Sequence, residues 1–300
     1  MRATMAGVLA VVGVLAGCGT ATSAQPTPTG PGVLTLKDAA PPAPGGEVGS
    51  ASDEFAAATG LSVWSKLSET EKDLDRIAKL DVNTTAKGSL YLEPKVSAWF
   101  DGFRGPFVYQ ELAGDIVMHA RLKVEGKKGV KPTRKFSLGG LMARVPNSYA
   151  KANWMSVTTG TADESGRLEM TYTKDGSSGP HETKIKSGWV ELVLARVGRL
   201  AVALYKEDGG AWKVGGRWPS ELPEVLQWGM TAYTDWDSYG ALKKDPSKGN
   251  AKQVKGTPDL KMTVDFVRFL RPELPDYVDP LNTASVPDDV LIKVVTPSGA

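Results

Sequence analysis

Cysteine is nearly absent from this 300-residue chain, and histidine almost so: there is one cysteine, Cys18, and two histidines, His119 and His181. A lone thiol excludes a disulfide framework and any zinc site built on several thiolates. Two imidazoles leave little for a histidine-rich metal centre. Neither sign of charge is in excess. Lys plus Arg is 36 and Asp plus Glu is 34, so the formal charge is +2 and gives no electrostatic ground for nucleic acid. After the first residues no apolar run is long enough to span a bilayer. Aromatic residues are missing before Phe55, and all eight Trp, eight Tyr and seven Phe lie at or after it. The Gly-x-Ser-x-Gly elbow, the Gly-x-x-x-x-Gly-Lys phosphate loop and the His-Glu-x-x-His helix are also absent.

What is present begins with an address. Arg2 supplies a positive start, and Met5 to Ala16 is apolar or glycine throughout, the length of a signal-peptide core. It ends in Leu15-Ala16-Gly17-Cys18, which resembles the lipobox of bacterial lipoproteins. That resemblance implies a leader of residues 1–17, lipidation of Cys18 and a stable membrane anchor without a transmembrane helix. The location it implies is extracytoplasmic, on the cell membrane or the outer membrane. An ordinary signal peptide cut near Ala24 is the alternative. Residues 18–52 are rich in Pro, Gly, Thr, Ser and Ala and hold no aromatic. Such a stretch buries too little surface to offset chain entropy, so a disordered tether is expected.

From residue 53 the pattern is that of a globular domain. Ser68 and Glu71 have the spacing of a capping box, with Leu74, Ile77 and Ala78 on one helical face, so a short helix is expected there. Beyond it a period of two dominates. Ile116, Met118, Ala120, Leu122 and Val124 alternate with Val117, His119, Arg121, Lys123 and Glu125, a half-buried strand with His119 on the polar phase. Similar strands read near Leu90, Phe107, 136–144, 154–159, 168–173, 190–197, 200–206, 227–234 and 260–270. Asp175-Gly176 and Asp208-Gly209-Gly210 supply tight turns, and His181 follows a Gly-Pro pair read as another turn. Many strands with few helices predict an all-β, two-sheet antiparallel sandwich over 53–271, followed by a loose Pro-rich tail over 272–300.

Four segments then fall in order: Gly114-Asp115-Ile116-Val117-Met118, Gly139-Gly140-Leu141-Met142-Ala143-Arg144, Leu194-Ala195-Arg196-Val197-Gly198 and Asp208-Gly209-Gly210-Ala211-Trp212. This series resembles a bacterial family of concanavalin A-like lectin/glucanase sandwich domains. The ends, Asp53-Glu54-Phe55 and Val264-Asp265-Phe266-Val267-Arg268, are similar to laminarinase-type glycoside hydrolases. Those enzymes carry Glu-x-Asp-x-x-Glu on one strand. Here the only Glu-x-Asp is Glu71-Lys72-Asp73, with Arg76 where the second Glu belongs, so their catalytic residues do not carry over. The resemblance also implies one structural calcium ion held by Asp265.

The leading expectation is a non-covalent binder of a polysaccharide or another cell-envelope component. The alternatives are a glycoside hydrolase or lyase with carboxylates from different strands, Glu111, Glu169 and Asp235 being candidates by type, and a protein–protein adhesion module. Sugar faces stack on aromatic rings, and hydroxyls bond to planar polar groups. The expected contacts are therefore Trp236, Tyr233, Asp235 and Asp237 at one rim, with Trp154, Arg144 and Tyr109. Trp64, Trp189 and Trp212 read as core or strand-end packing, and Trp228 as core.

Overall fold

The computed structural model describes residues 46–56, 61–149, 151–279 and 281–296, all within the unit Pro42–Ala300. Cys18, the leader and most of the expected tether lie outside the described residues. Fourteen strands are described: β1 (Ser65–Lys66), β2 (Ile77–Val82), β3 (Leu90–Pro94), β4 (Phe107–Ala113), β5 (Ile116–Glu125), β6 (Ser137–Arg144), β7 (Trp154–Thr161), β8 (Ser165–Lys174), β9 (Ser177–Lys184), β10 (Trp189–Val197), β11 (Leu200–Glu207), β12 (Lys213–Pro219), β13 (Val225–Tyr233) and β14 (Lys261–Leu270). They form two seven-stranded sheets. The front sheet runs β1-β4-β13-β6-β7-β8-β9 and the back sheet β12-β11-β10-β5-β14-β3-β2. All neighbouring pairs are antiparallel, as expected for an all-β sandwich.

The period of two builds the space between the sheets. Leu226, Trp228, Met230 and Ala232 of β13, Leu141 and Ala143 of β6, Met155 and Val157 of β7, and Leu168 and Met170 of β8 belong to one buried cluster with Met118, Ala120 and Leu122 of β5. In β14 the period breaks. The register shifts between Val264 and Phe266, a bulge that leaves Asp265 unpaired. The inward set is therefore Met262, Val264, Val267 and Phe269, and Phe266 turns to the other face.

That other face is packed, which corrects two expectations. His119 is 2% exposed rather than a surface residue. Its Nε2 lies 2.8 Å from Glu191, and the edges of Trp212 and Phe266 close over its ring at 5.5 and 5.0 Å. Further along, α4 (Asp288–Val295) buries Leu291 and Val295 in one cluster with Val117, Val193, Ala195 and Val202 of the back sheet. Fully burying each of these side chains is worth about 1.5–3 kcal/mol. The segment after Pro272 thus docks on the back sheet through Val286 and α4, whereas Tyr277 and Leu281 stay exposed.

The N-terminal boundary also moves. In α1 (Gly46–Gly49) and the turn after it, Val48 and Ala51 are buried in the sandwich core, and Ser52 Oγ accepts from the Phe269 N–H at 2.9 Å. Packing starts before residue 53. The expected capping-box helix shrinks to α2 (Leu67–Thr70), no side chain caps it, and Ile77 and Ala78 belong to β2 instead. Glu71 is drawn away from capping by a stronger partner, described below. Lastly, α3 (Pro246–Asn250) has Asp245 as its N-cap. No helix among the described residues is long and apolar enough to cross a membrane.

Candidate functional site

The outward phase of the front sheet carries Phe107 and Tyr109 of β4, Leu138, Met142 and Arg144 of β6, Trp154 of β7, Glu169 of β8, and Gln227, Thr231 and Tyr233 of β13. On a plain sandwich this face meets solvent. Here a strap, residues 96–106, lies over it. Trp99 is 3% exposed and stands edge-on to Phe107 and Trp154 at 6.3 and 6.0 Å. At the β13 side, Ser97 and Thr234 exchange backbone hydrogen bonds, and Thr231 Oγ1 donates to the Pro106 carbonyl at 2.7 Å. At the β9 side, the Asp101 N–H donates to Ser178 Oγ at 2.6 Å and the Ser178 N–H to Asp101 Oδ1 at 2.9 Å. Gly105 is required under this strap, because a Cβ there would lie 2.9 Å from Trp99 Nε1.

At the Glu71 end three of the expected sugar contacts are buried. Arg144 is 1% exposed and donates to both carboxylate oxygens of Glu71, at 2.6 and 3.1 Å, and to Gln227 Oε1 at 2.6 Å. The Asn147 N–H and Gln227 Nε2 also donate to Glu71. Burial alone would raise the Glu71 pKa. The Arg144 hydrogen bonds and charge, with the Asn147 and Gln227 donors, outweigh it and hold the carboxyl below its ordinary range. Trp154, at 1% exposure, packs on Trp99. Tyr109, at 2%, stacks on Phe107 at 5.1 Å and shares a hydrogen bond with Thr70. Trp154 and Tyr109 belong to a second buried cluster, and the Arg144 guanidinium is spent on Glu71 and Gln227.

The other end brings different residues together. A pocket of about 240 Å³ lies between the strap and the rim, walled by Trp99, Phe100, Phe136 and Trp236 with Glu169, Glu182, Asp163 and Tyr233. Phe100 is 40% exposed and Trp236 half-buried. Phe136 has a left-handed φ of 50°, a strained conformation for a bulky residue, of the kind that collects at functional sites. Tyr233 on β13 donates to Glu169 Oε1 on β8 at 3.0 Å, with β6 and β7 between the two strands. Thr171 adds a weaker contact at 3.3 Å. Glu169 has no cation within ion-pairing distance among the described residues. Burial, and the charge of Glu182 directly across the β8–β9 register, raise its pKa to about 7 against the pull of Tyr233 and Thr171. Near neutrality Glu169 is therefore both a hydrogen-bond donor and an acceptor. Glu182 lies 3.6 Å from Arg167 and Asp163 3.1 Å from Lys135.

The rim residues divide. Trp236 and Tyr233 reach the pocket; Asp235 and Asp237 do not line it. Asp235 is 1% exposed in a left-handed conformation, and its Oδ2 accepts from Ser238 Oγ and the Thr257 N–H at 2.7 Å each, which shapes the turn. Asp237 is exposed and pairs with Lys243 at 2.8 Å. Glu111 stands away from Glu169, at the β4 edge. The sequence reading missed Glu182, Trp99, Phe100 and Phe136. Glu182 sits in β9, an almost wholly polar edge strand that contains Pro180 and His181, and so read as a turn. Proline is tolerated there because an edge strand leaves N–H groups unpaired.

Asp265 does not fit a calcium ion. Its Oδ2 accepts from Arg121 Nη1 at 2.9 Å, so a guanidinium already supplies the positive charge. In the opening segment both Asp53 oxygens are engaged, by the Phe55 N–H and Trp64 Nε1. Calcium needs about 6–8 oxygen ligands. Among the described residues no group of three or more His, Cys, Asp or Glu stands together to begin such a shell.

No protein-family model matches the chain, and no curated protein matches it by sequence. Solved structures do match by fold. The GH43 protein BlXynB from Bacillus licheniformis aligns at 10% identity with a TM-score of 0.52, over 73% of this chain and 39% of that one. Its K247S mutant aligns at 11% identity with a TM-score of 0.53 over the same shares. A functionally unknown protein from Saccharomyces cerevisiae aligns at 15% identity with a TM-score of 0.47, over 72% of this chain and 100% of that one. The chain thus spans about two fifths of the Bacillus proteins' length, and at these identities the likeness is one of fold. The structural neighbours include glycoside hydrolase family proteins, and the architecture they share with this chain is a sandwich.

Proposed function

We propose that this protein binds a glycan non-covalently in the pocket between the strap and the Tyr233–Trp236 rim. One observation carries the reading: four aromatic side chains wall a small cavity whose floor holds a buried carboxyl that both donates and accepts near neutral pH. Stacking planes beside a few convergent polar groups are what a sugar ring requires, and a partly apolar concavity with a perturbed carboxyl is the default site in a fold of this kind. The neighbours with glycoside hydrolase names support a carbohydrate-related role. The Leu15–Cys18 motif supports the further proposal that a lipid on Cys18 holds the domain on the extracytoplasmic side of a membrane.

One observation favours hydrolysis as a second reading. Glu169 and Glu182 are cross-strand partners, which places their Cβ atoms about 4.5–5.5 Å apart, and Glu169 keeps its proton to about pH 7. Two neighbouring carboxyl side chains, one of them raised in pKa, are the kind of pair a glycosidase uses. A glycan array probed with the purified full chain, run beside a reducing-sugar assay on each bound glycan, separates the readings. Binding without release of reducing ends is the expected result. Turnover abolished by Glu169→Gln would establish hydrolysis, and an array without any bound glycan would reject both readings.

A further inference from the structure

The strap lines two cavities with consecutive residues. Ala98, Trp99 and Phe100 face the 240 Å³ pocket, whereas Asp101, Gly102 and Arg104 face a cleft of about 700 Å³ at the opposite end of the same sheet face. No residue lines both. Between them Trp99 fills the middle of the face against Phe107 and Trp154, and hydrogen bonds fix the strap at β13 and at β9. A polysaccharide cannot run along the sheet through this barrier. The pocket is also smaller than the roughly 300–1,000 Å³ clefts that take drug-sized ligands. Its walls carry three carboxylic residues, Asp163, Glu169 and Glu182, and neither lysine nor arginine.

We infer that the pocket takes the end of a glycan, a single terminal ring that bears no carboxylate, and that the 96–106 strap excludes internal chain segments. The inference rests on the glycan-binding reading and deepens it. The enclosing geometry sets the length: one ring sits inside and the next meets the rim, where it adds little. The charge sets the class. A uronic acid brings a further carboxylate beside Asp163, Glu169 and Glu182, while the nearest cations, Lys135 and Arg167, are already paired with Asp163 and Glu182; such like-charge juxtaposition is how a site rejects a wrong partner.

The test is a binding titration of the full chain. The probes are methyl glycosides of glucose, mannose, xylose, N-acetylglucosamine and glucuronic acid, a linear tetrasaccharide for each neutral sugar, and a cyclic glucan that has no end. The expected result is a neutral methyl glycoside whose Kd lies within about threefold of its tetrasaccharide, a glucuronide at least about tenfold weaker, and no binding of the cyclic glucan. Binding of the cyclic glucan, or a tetrasaccharide more than about tenfold tighter than its methyl glycoside, overturns the terminal-ring inference while leaving glycan binding intact. Binding by none of the probes rejects both. Two variants untie the strap independently: Ser178→Ala, and Asp101→Gly, which suits the left-handed backbone at φ 50°. Either should let the tetrasaccharide gain about threefold over the methyl glycoside. Unchanged length dependence in both would show that the strap is not the barrier.

Discussion

Glu71 and Glu169 lie at opposite ends of one sheet face, both buried, and their proton affinities move in opposite directions. Glu71 has a guanidinium on both oxygens and two further donors, so it is ionised and knots Arg144, Gln227 and the 147–149 turn to the sheet. Glu169 has a tyrosine hydroxyl, a weak threonine contact and a carboxylate neighbour, so it keeps its proton to about pH 7. Burial is common to both. The difference is whether a cation was folded in beside the carboxyl. Where one was, both carboxylate oxygens are tied up and the cleft beyond is lined by other residues; where none was, a pocket remains with a proton-bearing group at its base.

The contrast can be broken most strongly at the Glu71 end. Glu71→Ala leaves the Arg144 guanidinium buried without its counter-charge, and thermal or urea unfolding should show a loss of about 3–5 kcal/mol. Because the Glu71 pKa is lowered from 4.5, its contribution is present above that value and fades as pH falls through the lower folded value. Glu169 has the opposite sign. Raised from 4.5 to about 7, it favours the folded state only while protonated, so the wild type should lose about 3 kcal/mol of stability as pH rises from 4.5 through 7. Glu169→Gln should remove that loss, so that urea midpoints at pH 5 and pH 8 converge in the variant. A wild type without this slope would mean that the carboxyl has a counter-charge, and that the two ends are alike. The smallest effect is expected at Asp265. With Arg121 as its partner, calcium at millimolar concentration should leave the melting temperature unchanged relative to chelator, whereas a bound ion would raise it by mass action.

Much of the sandwich was legible because alternation is a local signal. The phases of β5 and β13 follow from their residues, and Gln227, Thr231 and Tyr233 do point away from the inter-sheet core. What covers that phase was not legible. Residues 96–106 have no period, so nothing in them announces that Trp99 will fill the outer face in one buried cluster with Phe107, Tyr109 and Trp154. The bulge at Asp265 was invisible for a related reason: apolar residues continue on both sides of it, and only pairing with β5 shows that the phase has slipped. The pocket itself joins β13, β8, β9 and the strap, residues far apart in sequence. Tyr233 and Trp236, expected from their chemistry, and Glu169, a candidate by type, line it. Glu182 was hidden in a strand too polar to read as one.

The binding claim is tested most directly at Phe100, the most exposed of the pocket's aromatic walls. Titration of the full chain with a glycan selected on the array should give a Kd raised about tenfold by Phe100→Ala, the loss of one stacking contact. The melting temperature should change little, because the ring is 40% exposed. Tyr149→Ala, which trims the far cleft beyond the strap, should leave affinity unchanged. Affinity untouched by Phe100→Ala and lost with Tyr149→Ala would contradict the account and place the ligand at the other end of the sheet.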